Sequence, residues 1–254
     1  MKGKKMKEFY IEDDRIRLHA KLELPEGKER CPLVILVHGF TGDMEEPHIV
    51  GVKDAMLAAG CAVLRAEMYG HGKSEGNFED HTLFKWFSNI MCVTEYAKTL
   101  PFVTDLYISG HSQGGLLAVM AAGARPADYK ALIPLAPALV IPEAARAGEM
   151  LGMRFDPEHI PDRVDIWEHT LAGNYFRCAQ MIHTEDCIDR YKKPVLIVHG
   201  DADEAVPISC SIEAAARYAD CELVTIPGDD HCYVRHLDMV CEAVRTFLEK
   251  KEAR

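Results

Sequence analysis

Gly110-His111-Ser112-Gln113-Gly114 sets a serine between two glycines at the spacing G-x-S-x-G. A serine hydroxyl is a poor nucleophile at its own pKa and needs an adjacent base. This spacing suits a serine at the tip of a sharp turn, because crowded backbone there leaves no room for neighbouring Cβ atoms. The pattern alone arises by chance in roughly one chain in ten of this length, so context has to carry it. It directly follows a strand predicted at residues 106–109 and directly precedes a helix predicted at 116–124. Strand, turn and helix in that order are what a nucleophile elbow requires. The competing reading is a glycine-softened helix start capped by Ser112.

A nucleophile of this kind is served by partners in the chain order Ser, Asp or Glu, His. After a late apolar strand comes His199-Gly200-Asp201-Ala202-Asp203. Asp203 lies far enough past the strand to point over its end, and Asp201 competes for the same role or braces the turn. The last strand is followed by Pro227-Gly228-Asp229-Asp230-His231, a turn-rich loop that ends in the candidate general base. His236 is the other histidine nearby and is assigned to the following helix. An oxyanion hole needs the backbone N–H of the residue after the nucleophile, Gln113, and one from the loop after the first buried strand. In His38-Gly39-Phe40-Thr41-Gly42 the N–H of Phe40 is the best placed, and His38 is expected to brace the loop. Acyl transfer by these groups needs neither metal nor organic cofactor.

The elements that must position these groups follow from periodicity. Residues 8–12 and 16–24 alternate polar and apolar, as half-exposed strands do. From residue 33 the pattern changes to continuous apolar runs, the mark of strands buried on both faces of a parallel sheet. Such runs recur at 62–64, 106–108, 132–135, 195–198 and 222–226, with helical stretches predicted at 48–59, 82–100, 114–124, 208–219 and 240–250. That alternation means a mostly parallel twisted sheet with helices on both faces. Between Pro137 and Lys193 no strand–helix unit is evident. A structureless loop of that length is improbable, so residues 137–193 are read as an inserted cap over the sheet's C-terminal edge, where ligands bind in open α/β sheets. Residues 1–136 and 194–254 form the core domain.

Composition sets limits on partners. The chain has 254 residues, 48% of them hydrophobic, and a formal charge of −11. That charge argues against nucleic acid, whose partners cluster Lys and Arg. The one basic cluster, Lys2, Lys4, Lys5 and Lys7, reads as a solvated tail. No apolar run reaches the length of a membrane span, and residues 1–10 lack the apolar stretch of a secretory leader. Nine scattered cysteines without a CxxC pair favour reduced thiols and a cytoplasmic setting. No His and Cys fall at familiar zinc spacings. The expected partner is a small-molecule ester, with no nucleic acid and no membrane, and a homodimer is compatible with the sequence.

Taken together, His38-Gly39-Phe40-Thr41-Gly42, Gly70-His71-Gly72-Lys73-Ser74, Gly110-His111-Ser112-Gln113-Gly114-Gly115 and His199-Gly200 with Asp203 resemble the α/β-hydrolases. More narrowly, the chain resembles the bacterial cinnamoyl (feruloyl) esterases over nearly its whole length. Leu135-Ala136-Pro137-Ala138 and the insert's His159-Ile160-Pro161-Asp162-Arg163 carry that narrower likeness. The resemblance implies an α/β-hydrolase fold and hydrolysis of hydroxycinnamoyl esters, with Ser112, Asp203 and His231 as triad and Phe40 and Gln113 as oxyanion donors. It also implies that Tyr175, in Gly173-Asn174-Tyr175-Phe176, binds the phenolic hydroxyl of the acid; the alternative is a core aromatic of the insert. The family's acidic partner in the early insert has no counterpart here, where Ala144 and Ala145 stand. The triad motifs are shared with short-chain carboxylesterases, monoacylglycerol lipases and thioesterases, and a hydrolase-like binding protein without chemistry is the remoter alternative.

Overall fold

Cys31–Val37 is buried at every position. This strand, β3 in the computed structural model, explains its own lack of alternation. Leu33, Ile35 and Val37 face one apolar core, while Val34 and Leu36 face a second core on the other side of the sheet. The structure describes residues 6–252; Lys2, Lys4 and Lys5 of the basic cluster lie outside them.

In chain order the strands are β1 (Met6–Asp13), β2 (Ile16–Glu23), β3, β4 (Ala62–Ala66), β5 (Val103–His111), β6 (Ala131–Leu135), β7 (Glu149–Met150), β8 (Met153–Arg154), β9 (Arg163–Ile166), β10 (His169–Ala172), β11 (Val195–Gly200) and β12 (Cys221–Ile226). Eight of them form one sheet in the order β1-β2-β4-β3-β5-β6-β11-β12. β1 runs antiparallel to β2 and β2 antiparallel to β4, and the remaining pairs are parallel. The helices are α1 (Pro47–Ala58), α2 (Leu83–Lys98), α3 (Gln113–Ala124), α4 (Ile141–Ala147), α5 (Asn174–Gln180), α6 (Thr184–Arg190), α7 (Ile208–Arg217) and α8 (Leu237–Glu252). α1 starts with proline in its first turn, where a missing N–H costs nothing. α2 starts where Thr82 Oγ1 accepts the N–H of Lys85. Residues from α1 and α8 fill one core, and residues from α2, α3, α6 and α7 the other.

The strand order decides where chemistry can occur. From β3 the chain moves outward through α1 to β4; from β5 it moves the opposite way through α3 to β6. The crevice beyond the C-terminal ends of β3 and β5 is therefore a topological switch point, where open α/β sheets bind ligands. Val37 pairs with Gly110, so the loop at His38–Phe40 emerges beside Ser112.

Two expectations change. β2 was expected half exposed, yet Leu18, His19, Ala20, Leu22 and Glu23 are buried. Its polar positions are buried because they have partners: His19 Nδ1 meets Glu67 Oε2 at 2.8 Å, and its Nε2 meets Glu8 Oε1 at 2.6 Å. His236, expected in the last helix, lies just ahead of it, its N–H donating to Asp229 Oδ2 at 2.9 Å.

Between β6 and β11 the chain forms two antiparallel ribbons, β7–β8 and β9–β10, with α4, α5 and α6. Tyr175 and Phe176 of α5 join the same core as α2 and α3.

Candidate active site

Ser112 stands between β5 and α3 with φ 55° and ψ −120°, a conformation that costs an L residue of order 1–3 kcal/mol. The surroundings over-determine it. Ser112 N donates to Leu135 O, and Ser112 O accepts from Leu116 N and Ala138 N, all between 2.9 and 3.0 Å. A Cβ on Gly110 would stand 2.3 Å from Gly114 O, and one on Gly114 would stand 2.3 Å from His38 O. Only glycine permits that approach, which is the physical content of the motif. Ser112 occupies the N-cap position of α3, but its side chain makes no capping hydrogen bond. The helix-cap alternative therefore fails, and Oγ is left for other work.

Asp203 lies beyond the end of β11, its side chain fully buried. Oδ2 accepts from His231 Nδ1 at 2.7 Å and from His199 Nε2 at 3.1 Å, and Oδ1 accepts the N–H groups of Ala205 and Val206 at 2.9 and 2.8 Å. Burial pushes this carboxyl up, but the hydrogen bonds from His199, His231 and Val206 outweigh it and hold Asp203 well below the usual carboxylate range. His199 Nε2 faces only acceptors, Asp203 and Val206 O, so it carries the ring proton, and Nδ1 accepts from Ser211 Oγ at 2.7 Å. The competitor Asp201 points elsewhere and accepts the N–H of Gly228 at 2.5 Å. It braces the turn.

With Nδ1 donating to Asp203, His231 is left with a bare Nε2. Its ring, one-fifth exposed, lines the same cavity as Ser112. Among the described residues no hydrogen bond joins His231 Nε2 to Ser112 Oγ; such bonds are often loose before substrate binds. The loop carrying His231 is shaped by Asp229, fully buried, which accepts from Asp230 N, Arg235 N and His236 N. Tyr233 anchors it to the sheet by donating to Val198 O at 2.8 Å. Sequence reasoning missed both roles, although an aspartate beside a Pro-Gly turn is itself a signal of local capping.

On the other side of Ser112, the N–H groups of Phe40 and Gln113 have no backbone acceptor among the described residues. His38 Nδ1 donates to Gly39 O at 2.8 Å while Nε2 accepts from Met68 N at 3.0 Å, so both nitrogens of a neutral ring are used. Burial lowers its pKa to about 3, and His38 braces the loop without a proton to offer.

These groups open on a cavity of about 770 Å³. The sheet side supplies Gly39, Phe40, Ser112, Gln113 and His231. The stretch between β6 and β11 supplies Val140, Ile141, Ala144, Met150, Leu151, Met153, Trp167 and Tyr175. Tyr175 is buried, and its hydroxyl donates to Gln113 Oε1 at 2.6 Å. It is thus both a core aromatic and part of the cavity wall. Ala144 lines the cavity and Ala145 lies buried behind it. Trp167, two-thirds exposed with φ 51°, holds a position that favours glycine and sets its ring 6.1 Å from that of Phe40. Nothing in its sequence context marked it.

The sheet order, the strained serine after β5 and the Asp–His pair after β11 and β12 define an α/β-hydrolase. The family profile described as "Serine aminopeptidase, S33" (Hydrolase_4) matches residues 28–164, and that of "TAP-like protein" (Abhydrolase_4) matches residues 167–253. The chain belongs to the Hydrolase_4 family of serine hydrolases. Among solved structures it is similar to Est1E from Butyrivibrio proteoclasticus with ferulic acid bound, at 56% identity, 97% of this chain, 100% of that one and a TM-score of 0.96. It is also similar to the human mitochondrial palmitoyl-protein thioesterase ABHD10, at 26% identity over 80% of this chain and 68% of that protein. The mouse ABHD10 structure shares the fold, with 20% identity, a TM-score of 0.76 and coverage of 96% and 99% of the two chains. Among the described residues no helix is long and apolar enough to cross a membrane.

Proposed function

We propose that this serine hydrolase cleaves hydroxycinnamoyl esters through an acyl-enzyme on Ser112. The hydrogen bond from His231 Nδ1 to Asp203 carries the reading, because it leaves Nε2 bare toward the cavity that Ser112 lines. Ser112 Oγ attacks the ester carbonyl as His231 Nε2 takes its proton. The carbonyl oxygen gains charge facing the N–H groups of Phe40 and Gln113. As the intermediate collapses, His231 returns the proton to the departing alcohol, and the acyl group remains on Oγ. Water repeats the sequence, His231 taking its proton and giving it back to Ser112, and the acid leaves. Asp203 holds the imidazole tautomer and stabilises its charged form.

The acyl preference rests on the apolar and aromatic wall of Phe40, Trp167 and Tyr175, and on likeness to a protein that binds ferulic acid. Residues 137–193 act as the cap that supplies most of that wall. Nine unpaired cysteines support a reducing, cytoplasmic setting.

A second reading, a thioesterase for long acyl chains, is favoured by the ABHD10 relatives and by Met150, Leu151 and Met153 along the cavity. Initial rates of wild type and Ser112→Ala on methyl ferulate, p-nitrophenyl butyrate and a palmitoyl thioester separate the two. Preference for ferulate, lost in Ser112→Ala, is the expected result. Preference for the thioester supports the second reading. Activity retained in Ser112→Ala overturns both, and failure to label with a fluorophosphonate would mark a binding protein without chemistry.

A further inference from the structure

Behind the candidate base, three side chains far apart in sequence converge. His48, His111 and Cys232 each place one ligand atom within 4.8 Å of the other two. His111 Nε2 faces the carbonyl oxygen of His231 at 2.8 Å and so carries that ring's proton, leaving Nδ1 as a bare acceptor. His48 Nε2 stands 3.2 Å from that nitrogen and, in the metal-free protein, donates to it. Two imidazole nitrogens bound to one tetrahedral zinc ion at its usual bond lengths stand about 3.3 Å apart. The pair is thus already spaced as one edge of such a site.

A fourth group stands nearby. Glu46 Oε2 is 3.9 Å from His48 Nε2, is buried and has no hydrogen-bond partner among the described residues. Access comes from the open side, where Cys232 is exposed and, with Glu46 and His111, lines the catalytic cavity. Gly39 covers His111 Nδ1 without a side chain; a Cβ there would stand 3.2 Å from it.

We propose that His48, His111 and Cys232, with Glu46 completing the set, bind a thiophilic divalent cation such as Zn2+, and that binding inhibits the enzyme. Two imidazoles, a thiolate and a carboxylate suit zinc's borderline softness. Binding displaces the Cys232 thiol proton to solvent, while the ring proton of His48 moves from Nε2 to Nδ1, so one proton is released per ion. Cys232 follows His231 directly, and His111 donates to the His231 carbonyl. Tying both to one ion immobilises the loop that carries the base. The inhibitory half rests on the proposed hydrolase reading, and the binding half does not.

The test uses the chelator-treated full-length protein titrated with Co2+, which reports tetrahedral thiolate ligation by its visible bands and its sulfur-to-metal charge-transfer band. Wild type is expected to show both at one equivalent. Cys232→Ser should lose the charge-transfer band, and His48→Gln should bind about tenfold or more weakly. Zn2+ should displace the cobalt and suppress ester hydrolysis by wild type, reversibly with EDTA. Measured against its own metal-free rate, Cys232→Ser should lose that sensitivity. Absence of the charge-transfer band in wild type, or its persistence in Cys232→Ser, overturns the site. Cobalt ligation without zinc inhibition of an active enzyme overturns the inhibitory role alone. A protein that turns over none of the esters yet shows the band refutes the hydrolase reading and leaves the metal site standing.

Discussion

The hydroxyl of Tyr175 donates to the side-chain carbonyl of Gln113 at 2.6 Å, tying α5 to the residue that follows Ser112. Gln113 is wholly buried and its Nε2 has no partner, so this bond is the only one that its side chain makes among the described residues. Tyr175→Phe removes it and strands a buried carbonyl, at a cost of about 1–3 kcal/mol. Urea unfolding should show that loss. Turnover of methyl ferulate should fall more than that of p-nitrophenyl butyrate, because the aromatic acid needs the wall that Tyr175 holds. Equal losses on both esters would confine Tyr175 to a packing role.

Asp203→Asn tests the proton arrangement around His231. An amide offers one oxygen where the carboxylate receives four N–H groups, and its NH2 facing His231 favours the wrong tautomer. The expectation is a fall in kcat of about 10⁴ with KM little changed. A loss below tenfold would remove Asp203 from the machinery. Asp201→Asn, at the exposed turn, should leave kcat within about twofold and affect stability only slightly, which steady-state rates and thermal unfolding measured together will show.

Gly114→Ala addresses the fit of the two loops. Its Cβ would stand 2.3 Å from the backbone oxygen of His38 and 2.6 Å from that of Val37. Backbone cannot swing aside as a flexible side chain can, so β3 and the elbow must part. The change should pull the Phe40 N–H away from its place, lowering kcat about a hundredfold or more, with a lowered thermal midpoint. Wild-type kinetics in a folded Gly114→Ala protein would contradict the close-approach account.

Acid should unfold this protein earlier than its carboxylates alone would. Burial lowers the pKa of His38 and His81 to about 3 and of His48 and His71 to about 4, and it lowers that of His111 well below its ordinary value. In the unfolded chain each returns to about 6.5. Below that pH the unfolded state binds more protons than the folded one, so stability falls as pH drops from about 6.5 toward the folded-state values. Each histidine contributes about 1.4 kcal/mol per pH unit in that window. The stability conferred by Asp203, whose folded pKa is depressed, is present above its unfolded value of about 3.9 and is lost only at lower pH. Urea midpoints at pH 7, 6 and 5 should therefore fall steeply. A flat profile down to pH 5 would show that these imidazoles take up protons without unfolding.

The amino-acid sequence by itself determined the sheet, the elbow and the chain order of its partners. These are local matters: continuous apolar runs need two covered faces, G-x-S-x-G needs a strand before it and a helix after it, and βα loops end on one edge of a parallel sheet. Only the tertiary structure sets Asp201 against Gly228 and Asp203 against His231, because two residues along a loop separate the directions in which their carboxylates point. Only it could bury His19 in a strand that reads as half exposed, since Glu8 and Glu67 reach it from other strands and loops. The Tyr175–Gln113 bond and the meeting of His48, His111 and Cys232 belong to the same class. Their partners lie tens to hundreds of residues apart, and no local periodicity records a contact that forms only when separate elements cross the same edge of the sheet.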